Sequence, residues 1–181
     1  QPGVDFAQAT PTELVELQRS QNEWLVRMAR WELRERARRH NGLPALTTLL
    51  REQFTTAPTP AKKLAAYWTL EQISAFAPDA PAPIAPLLSA MRTSPDEHLQ
   101  RWAVASTPAT AQNTASPFLR LARASTLPSL APDARAQLAA LLLSHPEDAT
   151  DHNLPLLYWS GIRDLAPAQL VALAPACRIP L

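Results

Sequence analysis

Four arginines at helical spacing make up the densest chemistry in the chain. Arg27, Arg30, Arg34 and Arg38 recur at intervals of three, four and four, which on a helix places them within one narrow stripe. Trp24 and Trp31, seven residues apart, border it. Guanidinium groups beside indoles can hold phosphate oxygens and stack bases, or dock an acidic protein segment. A plainer reading competes with these. Glu23–Arg27, Glu32–Arg36 and Glu35–Arg39 are carboxylate-first pairs four residues apart, so the arginines can form a solvated helix face. The tryptophans would then be covered by arginine stems and the next helix. Leu25, Val26, Ala29, Leu33 and Ala37 form the opposite face, which is expected to pack. Trp24, Arg27, Arg30 and Arg34, with Arg101 as a lesser addition, are the expected partner-binding residues.

Other combinations are weaker. His145-Pro146-Glu147-Asp148-Ala149-Thr150-Asp151-His152 gathers two imidazoles and three carboxylates, a set able to bind a divalent ion. Pro146 interrupts it, and the histidines lack the spacing of a helical pair. A helix terminus is the better reading, with His145 near the end of one helix and Asp151 or Asn153 capping the next. Ser160-Gly161 lacks the surrounding pattern of a nucleophile elbow. Cys177 has no histidine nearby and sits in an apolar tail, as an inert thiol would. Three glycines, at positions 3, 42 and 161, cannot assemble a phosphate-cradling loop. No catalytic, cofactor-binding or metal-ligating residue is expected in this segment, and it reads as a non-enzyme.

The elements that position these residues follow from composition. The 181 residues carry 19 prolines against three glycines, and 46% are hydrophobic. So few glycines argue against hairpin-rich sandwiches and barrels. The prolines cluster at joints, and the text between them is rich in helix-forming Ala, Leu, Arg and Glu. Thr10-Pro11-Thr12-Glu13, Ser94-Pro95-Asp96-Glu97 and Ala131-Pro132-Asp133 read as helix starts with proline in the first turn. About ten helices fit, with no convincing strand, so the predicted class is all-α. The formal net charge of +1 gives no general affinity for nucleic acid, although residues 19–39 hold seven arginines against three glutamates. No apolar run approaches the ~20 residues of a membrane span. The chain opens at Gln1 with neither initiator methionine nor leader pattern, which reads as a piece excised from a longer protein.

The helices repeat. Ala29, Ala66, Ala103 and Ala140 stand 37 residues apart, and Pro95-Asp96 recurs as Pro132-Asp133 at the same offset. A small residue at a constant site suits close helix packing. The spacing predicts outer helices over 11–19, 44–54, 82–92, 116–126 and 154–165. Inner helices are predicted over 22–40, 61–76, 96–106, 133–144 and 168–174. Paired, these give repeats at 11–40, 44–76, 82–106, 116–144 and 154–174, a HEAT/armadillo-like right-handed α-solenoid of about five helix pairs in a single domain.

Two stretches carry a resemblance. Leu14-Val15-Glu16-Leu17-Gln18 with Asn22-Glu23-Trp24-Leu25-Val26-Arg27-Met28-Ala29-Arg30 resembles the phrase LVxLQxxxNxWxVRxARR, and Asp151-His152-Asn153-Leu154-Pro155-Leu156-Leu157-Tyr158-Trp159 resembles DxNLPLLxW. Both occur, in this order, in large membrane-bound dehydrogenase-like, haem-binding proteins of planctomycetes and verrucomicrobia. There a β-propeller precedes a HEAT-like helical region and a c-type haem domain follows. Lys63 to Leu70 also looks like the RxxALWTL of a HEAT inner helix. The haem-attaching CxxCH and the propeller residues are absent here, so neither activity transfers to any residue. The resemblance implies an exported, cell-envelope parent in which this piece is a helical connector, with the neighbouring domains or another protein as partner. The alternative reading is a nucleic-acid-binding HEAT protein using a basic inner-helix face. Such a groove would be basic in every repeat, and Leu64 and Leu138 break that pattern.

Overall fold

The computed structural model describes residues 4–77, 84–107 and 114–178. Among them are ten α-helices and no strand, so the chain is all-α. They are α1 (Pro11–Glu16), α2 (Glu23–Arg39), α3 (Thr47–Thr56), α4 (Pro60–Ser74), α5 (Ala85–Arg92), α6 (Glu97–Ser106), α7 (Pro117–Thr126), α8 (Pro132–Leu143), α9 (Leu154–Ile162) and α10 (Pro167–Leu173). Short 3-10 turns at Leu17–Arg19, Pro44–Leu46, Leu127–Ser129 and Pro146–Thr150 join several of them. Most helices match the spacing-based ranges within three residues. The predicted start of the 82–92 helix lies outside the described residues, as do Pro78, Pro81, Pro83 and Pro108.

Side chains at the joints decide where helices begin. Thr10 and Glu13 exchange hydrogen bonds around the first turn of α1, each also serving the other's main-chain amide. Asn22, Thr59 and Ser116 cap α2, α4 and α7. Proline opens α1 and α8 as expected, but α6 differs. The Asp96 carboxylate accepts both the His98 and Leu99 amides, so Asp96 is the cap and Pro95 lies outside the helix. Pro95-Asp96 and Pro132-Asp133 are therefore not equivalent starts, because Asp133 sits inside the first turn of α8. At the end of α2, Asn41 and Gly42 adopt positive φ (55° and 97°) and the Gly42 amide returns to the Ala37 carbonyl. A side chain at Gly42 would also press on Ala77, whose Cβ lies 2.9 Å from the added atom.

The chain divides into two compact units, residues 1–90 and 91–181. In the first, α2 packs on α1 and α4, and α3 packs on α4. Leu14, Leu33, Leu50, Tyr67 and Leu70 are sealed from solvent there. In the second, α7 packs on α6 and α9, and α8 on α9 and α10. Leu127, Leu138, Leu143, Tyr158 and Ile162 form its core. Each such burial stabilises by about 1.5–3 kcal/mol. Gly161 lets α9 approach closely, since a Cβ there would lie 2.6 Å from a Leu127 methyl.

The 37-residue alanine register holds at three of its four members. Ala29, Ala66 and Ala103 are wholly buried, whereas Ala140 is half-buried and its neighbour Ala139 takes the inner position. Helix α8 is rotated by one residue relative to the spacing. Replacing Ala103 with leucine is expected to overpack its site and cost about 1–3 kcal/mol in urea denaturation. The same change at Ala140 is expected to cost less. Equal costs at the two positions would contradict this packing.

Candidate functional site

The packed face of α2 determines where its arginines go. Val26, Ala29, Leu33 and Ala37 are buried, and Leu25, expected among them, is only half-buried. Arg27, Arg30, Arg34 and Arg38 each follow one of those four residues directly. One residue turns a helix by about 100°, so the stripe flanks the buried face instead of opposing it. Its Arg27–Arg34 part lies at the seam with α4, where Arg30 meets Thr69 and Trp68. There Arg27, Arg30, Trp31 and Arg34 of α2, with Gln72 of α4, line a shallow depression of about 460 Å³.

Arg30 is fixed at the base of this site. Its Nε donates to Thr69 Oγ1 at 3.2 Å, and its guanidinium stacks 5.4 Å from the Trp68 ring centre. Burial lowers its pKa from the ordinary arginine value, with Glu23 acting in the opposite direction. Thr69 is part of a buried chain. Its hydroxyl proton is shared between Gln18 Oε1 and the Ala65 carbonyl, while Gln18 Nε2 donates to the Leu14 and Val26 carbonyls. This links α1, α2 and α4 through groups that have no access to water.

The helix carboxylates are arranged differently from the expected pairs. Glu32 holds Arg36 at 2.7 Å as predicted. Glu35 pairs with Arg38, not Arg39, and Glu23 lies 3.6 Å from Lys62 instead of engaging Arg27. Arg27 and Arg34 consequently have no ion pair among the described residues. The tryptophans are not covered either, as Trp24 and Trp31 are each 53% exposed. Trp31 belongs to the depression, while Trp24 lies outside its lining and meets Phe6 edge-on at 5.6 Å. Arg101 is in the second unit, stacked 5.6 Å from the Phe118 ring centre. Of the five expected partner-binding residues, Arg27, Arg30 and Arg34 come together. Trp31 and Gln72 complete the site, and the alternation of buried residue and arginine was the signal for where it lies.

The histidine-carboxylate stretch has a structural role that the sequence reading missed. Asp148 is 2% exposed and accepts two guanidinium bonds from Arg120, itself 1% exposed. Tyr158 donates to the same carboxylate at 2.6 Å. Arg120 Nη1 also donates to the Thr114 and Ala115 carbonyls, so the buried cation is fully engaged. The Asp148 bond raises the Arg120 pKa further. Burial, followed by the bond to Asp148, pushes the Tyr158 phenol well above the usual range, so it remains a neutral donor. Asp151 accepts the Asn153 and Leu154 amides and caps α9, as expected, which holds its own pKa low. Among the described residues no group of three or more metal-ligating side chains converges. Arg120, Ala124 and Leu127 share a core-facing spacing of four and three, which marked Arg120 as buried.

Comparison with protein-family models, with curated proteins and with solved structures returns no match.

Truncating Asp148 to alanine strands Arg120 as an uncompensated buried charge. A loss of about 3–5 kcal/mol in denaturant unfolding is expected. Replacing the pair together, as R120M/D148L, is expected to recover most of it, because the charge and its counter-charge leave at once.

Proposed function

We propose that the chain is a non-catalytic interaction module built from HEAT-like helix pairs, a right-handed α-solenoid of about five repeats. Its contact surface is the α2 face of Arg27, Arg30 and Arg34, with Trp24 nearby on the same helix and Arg101 as a separate cationic point in the second unit. The observation that carries this reading is the division of charge on α2. Its three glutamates engage Lys62, Arg36 and Arg38, leaving Arg27 and Arg34 without an ion pair among the described residues, beside a half-exposed indole. Unpaired guanidinium with aromatic surface is the composition of a protein-contact hot spot.

Further support for a repeat array comes from the buried alanines at 37-residue spacing and from the packing of sequence-adjacent helices. On the resemblance alone, such a module would lie between the propeller and haem domains of an exported envelope protein, and its partners would be those neighbouring domains or another protein. No cofactor belongs to this segment on that reading. No helix among the described residues is long and apolar enough to cross a membrane.

Nucleic-acid binding is the second reading, favoured by the same unpaired arginines beside Trp31. Against it, Leu64 and Leu138, which match Arg27 and Arg101 in the repeat, are buried apolar residues, so the basic face is not repeated. A titration with duplex and single-stranded DNA discriminates. Binding through three arginines would weaken about twentyfold between 50 and 150 mM salt. No micromolar binding is expected at about 150 mM salt. Loss of association with the parent's other domains, added in trans, is expected for R27A/R30A/R34A. Micromolar DNA binding abolished by those changes would replace this reading with the nucleic-acid one.

A further inference from the structure

We propose that the α2–α4 depression binds an acidic segment in polyproline conformation, carrying two carboxylates three residues apart with proline between them. This rests on the interaction-module reading and names the ligand chemistry.

Charge complementarity selects the acidic class. Among the described residues Arg27 and Arg34 have no carboxylate partner, and Arg30 donates a hydrogen bond only through its Nε, its guanidinium stacking on Trp68. Local carboxylates do not fill the site, because Glu23 meets Lys62 and Glu71 accepts the Tyr67 hydroxyl at 2.7 Å. Planar guanidinium forks match carboxylate oxygens in pairs.

Geometry selects the conformation. Arg27 and Arg34 are two helical turns apart, about 10 Å along the axis. A polyproline helix has three residues per turn and rises ~3.1 Å per residue. Carboxylates three residues apart therefore share one face about 9 Å apart, matching the arginine pair. Between the arginines stands Trp31, half-exposed, an indole suited to a proline ring. Gln72 supplies an amide at the α4 edge, able to bond the ligand backbone, which in this conformation has no internal hydrogen bonds. A preformed polyproline segment also loses little entropy on binding.

The test uses the full chain and capped peptides containing Glu-Pro-Pro-Glu, Gln-Pro-Pro-Gln or Glu-Glu-Pro-Pro, followed by calorimetry and tryptophan fluorescence. Tightest binding of Glu-Pro-Pro-Glu is expected, with a tryptophan signal that W31A removes. R27A and R34A should each weaken it roughly tenfold, while R38A, whose arginine is held by Glu35, should not. Equal binding of the glutamine peptide, equal binding of the shifted peptide, or indifference to R27A and R34A would overturn the proposal. So would absence of binding at millimolar peptide. If the parent's domains still bind through the arginines in that case, the interaction module stands and only this ligand fails. Displacement of the peptide by micromolar DNA would overturn both.

Discussion

Nineteen prolines remove nineteen main-chain donors from this chain while leaving every carbonyl in place. The resulting excess of acceptors, concentrated at the joints between short helices, is the constraint that the remaining structure answers. Long side chains with several N–H groups supply the missing donors. Arg36 donates to the Phe6, Ala7 and Ala9 carbonyls, and Arg120 to those of Thr114 and Ala115. Arg135 serves Pro128 and Leu130, Lys62 serves Ser20, Gln100 serves Ser94 and Gln53 serves Val15. Helices that lack length for stability of their own are held by these cross-ties as well as by apolar burial.

The arginines thereby fall into two populations. Some are internal donors, fixed by carbonyls and carboxylates. Others, Arg27 and Arg34 among them, are left to solvent. Arg120 shows the cost of the first role. A buried guanidinium requires a counter-charge and further acceptors, and a well-packed apolar replacement of the pair could be as stable. What the ion pair adds is direction, since its bidentate geometry and the Tyr158 bond fix α7, α9 and the 3-10 turn at Pro146–Thr150 in one register.

Much of this was legible beforehand, for identifiable reasons. Helix positions follow from proline punctuation and capping residues, which act locally, and the all-α class follows with them. The Ala29, Ala66 and Ala103 sites follow from periodicity. The Ala140 register failed because α8 buries Leu138, Ala139, Leu142 and Leu143, a face chosen by packing on α9 and α10 that a fixed spacing does not encode. Of the three ion pairs expected on α2 only Glu32–Arg36 forms, because four-residue spacing allows a pair while other neighbours, such as Lys62 for Glu23 and Arg38 for Glu35, take the partner. Trp24 was expected with the arginine site and lies instead against Phe6, in a segment that no helical wheel represents. The Arg120–Asp148–Tyr158 cluster was missed because its members are distant in sequence and meet only through packing.

The two buried polar clusters also bear on how quickly the chain can fold. Most helix contacts join neighbours in sequence, such as α3 with α4 and α6 with α7, and chains rich in local contacts fold fast. The Gln18–Thr69 bond closes a separation of 51 residues and the Arg120–Asp148 bond one of 28. Closing a loop costs entropy that grows only slowly with its length. Helical hairpins can therefore form first, with each buried bond acting as a late latch on the elements already assembled.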